Sequence, residues 1–200
     1  MANETIGGEQ RKAIEEEIEG LVRAVFQAKE KLTEARRKLP PEPVTDYALH
    51  TSDGAAVRLS DLFGDKNDLI VIHNMGRSCP YCTLWADGFN GVAQHLANRA
   101  AFVVVSPDEP EVQAKFATDR GWKFRMASAR GTTFIQDMGY LRGDDYWPGI
   151  STFRKASDGS ITRVAKDYLG PGDDYCSVWH LFDLLPNGAD GWEPKYRYED

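Results

Sequence analysis

The stretch Ile70-Val71-Ile72-His73-Asn74-Met75-Gly76-Arg77-Ser78-Cys79-Pro80-Tyr81-Cys82-Thr83-Leu84-Trp85-Ala86 decides the fold. It begins in a short β-branched apolar run that follows a polar turn, which predicts a buried strand. From Cys82 onward apolar residues recur at helical spacing, which predicts a helix. Its N-cap would be Ser78 or Cys79, and Pro80 would lie in the first turn, where proline is tolerated. We therefore expect Cys79 at a helix N-terminus and Cys82 one turn later.

A cysteine at a helix N-terminus is expected to be unusually acidic. Its reactive form is the thiolate, which the unpaired N–H groups and the helix dipole favour, and Arg77 adds a positive charge nearby. Cys79 is therefore predicted to be the nucleophile and Cys82 the less exposed resolving thiol, because an i, i+3 spacing brings both to one helix face. The order strand, C-x-x-C, helix is typical of thioredoxin-type redox sites. The alternatives are two core cysteines or half of a zinc site.

Length and composition are those of an ordinary globular protein. The chain has 200 residues, enough for one domain and one appendage. Three cysteines do not suggest a disulfide framework, so a reducing cytoplasm is expected, with a catalytic C-x-x-C pair and no cofactor. We expect no signal peptide, no membrane span and no nucleic-acid partner, since the net charge is −7 and the end of the chain is acidic.

A long helix is predicted from Glu9 to Leu39. Its apolar residues alternate spacings of four and three over more than three heptads: Ile14, Ile18, Leu21, Val25, Ala28, Leu32, Ala35 and Leu39. At roughly 1.5 Å per residue the helix is about 45 Å long, whereas a domain of roughly 160 residues is about 30 to 35 Å across. Part of the apolar seam is therefore expected to meet a second copy of the chain, which predicts a homodimer.

The rest of the chain follows an α/β pattern. Ala101–Val105 is predicted to be a second buried strand, of the kind found in parallel sheets covered on both faces. The helix that follows is expected to stop at Gly121. Two hairpins with Asp-Gly turns and a last helix complete the prediction: Val44–Leu49 with Ala55–Leu59, Ile150–Lys155 with Ser160–Ala165, and Asp173–Leu185. The predicted organisation is a helical arm and proline-rich connector at 1–43 and a domain at 44–200.

Four segments carry a closer resemblance: Ala35-Arg36-Arg37-Lys38-Leu39-Pro40, Leu59-Ser60-Asp61-Leu62-Phe63, Cys79-Pro80-Tyr81-Cys82-Thr83-Leu84-Trp85-Ala86-Asp87-Gly88-Phe89-Asn90-Gly91 and Gly149-Ile150-Ser151-Thr152-Phe153. They resemble a bacterial thioredoxin-like family described as a domain of unknown function, whose members are predicted dithiol-disulfide oxidoreductases or peroxiredoxin-like proteins. The resemblance covers nearly the whole chain. It implies a thioredoxin-like fold, a mixed central sheet flanked by helices, behind the long N-terminal helix.

One difference from thioredoxins bears on substrate binding. Where thioredoxins carry a cis-proline facing the dithiol, this chain has Ser151. The bond before Ser151 is expected to be trans, because cis peptide bonds are essentially a proline feature. Pro80, Tyr81 and Ser151 are the predicted substrate contacts, and the groove that presents a substrate backbone is expected to differ from that of thioredoxins.

Three interpretations of function follow. In the first, the dithiol reduces a protein or small-molecule disulfide and is regenerated by a separate reductant. In the second, the substrate is a peroxide, although peroxiredoxins carry Thr-x-x-Cys and Cys79 here takes the threonine position. In the third, Cys176 and His180 lie i, i+4 on one helix and complete a zinc site with Cys79 and Cys82. A module that only binds partners through its long helix is the remaining possibility.

Overall fold

The computed structural model describes residues 7–198, and the chain divides into two compact units at Pro40/Pro41. From residue 7 onward the first unit contains a single helix, α1 (Gly8–Arg37), as its heptad pattern predicts. No residue of α1 is buried, and its surface carries i, i+4 ion pairs such as that between Arg11 and Glu15. Two arginines in the last turn complement the helix dipole.

The second unit is built on an eight-stranded mixed sheet. Its strands are β1 (Glu42–Val44), β2 (Ala48–Thr51), β3 (Ala56–Arg58), β4 (Asp68–His73), β5 (Ala101–Ser106), β6 (Arg125–Ser128), β9 (Gly149–Lys155) and β10 (Ile161–Tyr168). Their order across the sheet is β1-β10-β9-β4-β5-β6-β2-β3. A separate two-stranded ribbon is formed by β7 (Leu141–Arg142) and β8 (Asp145–Tyr146). The strands β4, β5 and β6 are parallel to one another, and the other pairings are antiparallel.

Helices cover the sheet on both faces. They are a 3-10 helix (Leu59–Phe63), α2 (Pro80–Arg99), α3 (Pro110–Arg120), α4 (Phe134–Asp137) and α5 (Ser177–Phe182). Alternate residues of β4 belong to different cores: Val71 packs with the 3-10 helix and α4, whereas Ile72 packs with Trp85 of α2 and Trp179 of α5. The apolar run of β4 is thus buried from both sides, as a central strand requires.

This architecture confirms the predicted thioredoxin-like fold, with two local corrections. The predicted strand Val44–Leu49 is two strands, because Asp46 turns the chain and accepts hydrogen bonds from the backbone and hydroxyl of Ser60, both at 2.8 Å. As a result Glu42–Val44 pairs with β10, and the following residues pair with β3 and β6. The last predicted helix is also shorter, spanning only Ser177–Phe182. None of the described helices combines the length and apolarity needed to cross a bilayer.

Candidate active site

The loop between β4 and α2 is held by side chains at its start and by a neighbouring loop. Asn74 accepts a hydrogen bond from the backbone of Gly76 at 2.8 Å and donates one to the carbonyl of Cys82 at 3.4 Å. Gly76 has φ +101°, and a Cβ there would lie 2.8 Å from Oδ1 of Asp108. Asp108 also accepts from the backbone N–H of Arg77 at 2.8 Å. The loop is therefore pinned between the ends of two parallel strands, which fixes where α2 begins.

The two thiols of this loop lie one helical turn apart, as predicted. Cys79 is the N-cap of α2 and Pro80 its first residue. The Sγ of Cys79 accepts a hydrogen bond from the backbone N–H of Cys82 at 3.0 Å, which is the usual bond of a helix cap. Cys79 is 9 % exposed and Cys82 2 %, so the second thiol is the more deeply buried. Both are free thiols in this structure.

The pKa of the Cys79 thiol is lowered and that of the Cys82 thiol is raised. The pKa of Cys79 is lowered to about 7. The largest cause is the hydrogen bond from the Cys82 thiol, which acts against burial, and the backbone N–H groups of Cys82 and Tyr81 add to it. The pKa of Cys82 is raised, first by the same hydrogen bond and then by burial and the charge of Cys79. These shifts favour ionisation of Cys79 beside a protonated Cys82.

Arg77 lies on the surface next to α3. Its side chain is exposed and lines a cavity of about 300 Å³ with residues of α3, among them Glu111 and Lys115. The causes of the lowered pKa of Cys79 are in Cys82 and Tyr81. Activation of the nucleophile by Arg77 therefore stays a prediction without support from these contacts.

Of the predicted substrate contacts, Pro80 and Tyr81 lie between the two cysteines in the chain, whereas Ser151 is buried in the sheet. Tyr81 is half-buried, with its ring centroid 6.2 Å from those of Trp85 and Trp179. Burial is the main cause of its raised pKa, followed by the charges of Glu193 and Cys79. The Tyr81 phenol is thus close enough to Cys79 for the charge of the thiolate to affect its pKa.

Ser151 lies in the interior, which corrects the prediction that it contacts substrate. The bond before it is trans, as expected. Its backbone is paired between β4 and β10, its side chain is fully buried, and its Oγ lies 3.0 Å from Nε2 of His73. A substrate therefore has no exposed part of Ser151 to touch. His73 is also buried, with its ring stacked on Tyr140 at 4.0 Å.

The structure does not assemble the zinc alternative. Cys176 precedes α5 as its N-cap in extended conformation, so it does not share a helical face with His180. Cys176 is buried in the aromatic core, whereas His180 lies half exposed between Asp174 and Asp183. Between residues 7 and 198, no three His, Cys, Asp or Glu side chains are grouped so that they could hold a metal ion.

Two parts of the site carry no signal in the local sequence. Asn74 and Asp108 look like ordinary loop residues, although an Asn-x-Gly directly after a strand is a usable indication of a tight turn. The C-terminal residues Trp192–Tyr198 reach the site through contacts with residues far away in sequence. The pKa of Tyr196 is raised by burial and then by the charges of Cys79 and Cys82.

Fold and site together define the class: a thioredoxin-fold protein with a C-x-x-C dithiol at the N-terminus of its central helix. The family is shown by the sequence, since residues 9–199 match the one described as "Bacterial protein of unknown function (DUF899)". The chain belongs to that family.

Several solved structures are similar to this chain, and those with a TM-score above 0.5 share its fold. Peroxidoxin BcpB from Mycobacterium tuberculosis is 31 % identical, with 60 % of this chain and 80 % of that chain covered and a TM-score of 0.49. A peroxiredoxin-like protein from Aquifex aeolicus is 16 % identical, with 64 % of this chain and 75 % of that chain covered and a TM-score of 0.51. The hypothetical protein SMc02350 from Sinorhizobium meliloti is 15 % identical, with 80 % of this chain and 88 % of that chain covered and a TM-score of 0.51. A comparison with curated proteins returned no match.

Proposed function

We propose that this protein is a thiol–disulfide oxidoreductase in which Cys79 attacks the substrate and Cys82 resolves the intermediate. The proposal rests on two thiols one helical turn apart whose pKa values are shifted in opposite directions, downward for Cys79 and upward for Cys82. With a pKa of about 7, roughly half of Cys79 is thiolate at neutral pH, while Cys82 keeps its proton. The three free thiols suit a reducing, cytoplasmic setting.

The proposed reaction transfers two electrons from the dithiol to a disulfide R–S–S–R′. The Cys79 thiolate attacks one sulfur, forms a mixed disulfide with R–S and releases R′–S⁻. Cys82 then gives up its proton and attacks the Sγ of Cys79, which forms the Cys79–Cys82 disulfide and releases R–S⁻. A separate dithiol reductant exchanges with that disulfide and returns both cysteines to the thiol form.

A hydroperoxide is the second candidate substrate. Cys79 is only 9 % exposed, and a hydroperoxide needs less room than a peptide around a disulfide. The thiolate would attack the O–O bond, become a sulfenic acid and release an alcohol or water. Condensation with the Cys82 thiol then forms the same Cys79–Cys82 disulfide and releases water. The name of the peroxiredoxin-like structure from Aquifex aeolicus agrees with this candidate.

Mass spectrometry after oxidation by a small aromatic disulfide tests the assignment of the two cysteines. The wild-type chain and the control Cys176→Ser should each lose two hydrogens. Cys79→Ser should lose none, and Cys82→Ser should stop at a stable mixed disulfide with half of the oxidant. Intramolecular disulfide formation in Cys79→Ser would overturn the proposal.

A comparison of turnover rates decides between the two substrates. The rate with hydrogen peroxide and the rate with the small disulfide are measured with the same reductant, and the faster one identifies the substrate class.

The pH profile of Cys79 alkylation tests the cause of its acidity. Because only the thiolate reacts, the rate with iodoacetamide should rise with pH through a midpoint near 7. In Cys82→Ala no side-chain donor remains at position 82, so the midpoint should move upward. A wild-type midpoint at or above about 8.5, the value of a free cysteine, contradicts the proposed nucleophile.

A further inference from the structure

The segment Trp192–Tyr198, here called the strap, runs between the aromatic core next to Tyr81 and helix α3. At one end the Trp192 ring packs on Trp179 and Phe182, with centroids 6.1 and 5.0 Å away. Further along, Pro194 is buried and the ring of Tyr196 lies 6.4 Å from that of Phe116 in α3. The strap therefore extends from the aromatic core behind Tyr81 to α3 on the other side of α2.

Ring contacts join the strap to the residue that follows the Cys79-Pro80 pair. The Trp179 ring lies 6.1 Å from Trp192 on one side and 6.2 Å from Tyr81 on the other. The pKa shifts agree with this position, because Glu193 contributes to the raised pKa of Tyr81, after burial, and Cys79 and Cys82 contribute to that of Tyr196, also after burial.

One arginine fastens the strap. Arg120, the last residue of α3, donates from Nη1 to the backbone carbonyl of Tyr196 at 2.6 Å. Its Nε donates to Oδ1 of Asp87 at 3.1 Å and its Nη2 to Oδ2, so the guanidinium is held in a bidentate pair with α2. Trp122 also donates to Asp87, at 2.7 Å. Asp87 holds the guanidinium in one orientation, so its charge-assisted hydrogen bond to the Tyr196 carbonyl restrains the strap strongly.

We propose that the strap is a size filter that restricts Cys79 to small disulfides and hydroperoxides and excludes disulfides in folded proteins. The inference rests on the proposed function of the dithiol. With the strap fastened, Cys79 is 9 % exposed and Tyr81 stands beside it against two tryptophans. A small oxidant can enter beside the phenols, whereas a protein disulfide brings its flanking chain and requires the strap to lift. Lifting breaks the bond between Arg120 and the Tyr196 carbonyl.

The filter is tested by the ratio of two alkylation rates at Cys79, one with N-ethylmaleimide and one with a maleimide carrying a long polyethylene glycol chain. The background is Cys82→Ser/Cys176→Ser, which leaves Cys79 as the single thiol. In the fastened chain the large reagent should react much more slowly than the small one. Arg120→Met should raise the ratio of large to small by about tenfold, the usual effect of losing one charge-assisted hydrogen bond.

The matched control is Arg99→Met, at the far end of α2, where the arginine pairs with Asp68. It should leave the ratio unchanged. A second variant, a chain that ends at Glu193, keeps the Arg120–Asp87 pair and lacks the rest of the strap. It tests the same prediction if Arg120→Met does not fold, and its ratio should rise as well. An equal ratio in the wild type, the shortened chain and Arg99→Met overturns the size filter.

Turnover separates this inference from the function on which it rests. In the chain ending at Glu193, insulin disulfide reduction should rise relative to reduction of a small disulfide. If neither disulfide nor peroxide is turned over by any variant, the proposed function fails, while the alkylation ratio still decides whether the strap filters by size. If wild type reduces insulin as readily as the shortened chain does, the filter is wrong and the function stands.

Discussion

At the scale of single residues, the sulfur atom of Cys79 has two roles, one structural and one chemical. It caps α2, where a serine or aspartate oxygen is the common choice, and it is the proposed nucleophile. Serine is itself a strong N-cap residue, so Cys79→Ser retains the helix start and removes only the thiol chemistry. Loss of reactivity in that variant therefore reports on the reaction and not on unfolding.

His73 makes the stability of the fold depend on pH. Burial, and to a lesser extent the charge of Arg163, lowers its pKa to about 3. The unfolded chain takes up a proton near pH 6.5, whereas the folded chain does not until near pH 3. The free energy of unfolding should therefore fall as the pH falls through this window, by up to about 1.4 kcal/mol per pH unit.

Urea unfolding at several pH values between 5 and 7 measures this slope. His73→Gln can keep a hydrogen bond to Ser151 and does not titrate, so its slope should be flatter even if its overall stability is lower. His95→Gln, at an exposed position of α2, is the matched control. Equal slopes for His73→Gln and the wild type would show that His73 is not the group responsible.

At the scale of elements, Gly149 decides how closely β9 can approach the loop before it. A Cβ at this position would lie 2.0 Å from Cε1 of Tyr140 and 2.6 Å from the carbonyl oxygen of Asp167. The Tyr140 hydroxyl is fixed there by bonds to the carbonyls of Ile150 at 2.6 Å and Asp167 at 2.9 Å. Gly149→Ala should therefore destabilise the fold by about 3 kcal/mol, the upper part of the range for overpacking.

Thermal and urea unfolding of Gly149→Ala against Gly170→Ala check this prediction. A Cβ at Gly170 would meet nothing within 4 Å, so its alanine variant should change stability by no more than about 0.5 kcal/mol. Because Gly149 pairs with His73 at the end of β4, the first variant should also disturb the dithiol loop. A Gly149→Ala protein as stable as Gly170→Ala contradicts the steric argument.

Elements with strong local signals could be predicted from the sequence. The apolar runs of β4 and β5, the proline in the first turn of α2 and the glycine after α3 each correspond to the structure within a residue or two. The prediction for the last helix is too long for a physical reason. Asp173 accepts hydrogen bonds from the backbones of Tyr175 and Cys176, at 2.8 and 3.1 Å, and these compete with helix formation until Ser177.

The contacts that complete the site are long-range, which is why the sequence does not reveal them. Cys79 and Cys82 are three residues apart and could be assigned from spacing alone. Arg120 lies 33 residues from Asp87 and 76 from Tyr196, and no periodicity or motif relates such positions. The burial of Ser151 has a similar cause, because it follows from strand pairing across the sheet.

At the scale of the whole molecule, α1 remains to be explained. Its 30 residues include no buried side chain. The exposed apolar residues of the predicted seam include Ile14, Ile18, Leu21, Val25 and Leu32, and Val22 and Phe26 extend the same exposure. Exposed apolar surface on this scale usually marks an interface. The alternation of four- and three-residue spacings suits a second helix of the same kind.

The prediction is a homodimer in which the seams of two α1 helices meet. Light scattering should then give about twice the 22.4 kDa of one chain at micromolar concentration. Leu21→Glu/Val25→Glu places two carboxylates in the seam and should shift the chain to monomer, because burying unpaired charges is strongly unfavourable. Gln10→Glu/Gln27→Glu adds the same charge to α1 outside the seam and should leave the dimer intact. A wild-type monomer whose circular dichroism still shows a folded α1 contradicts this assembly, and the seam would then have to be covered within one chain.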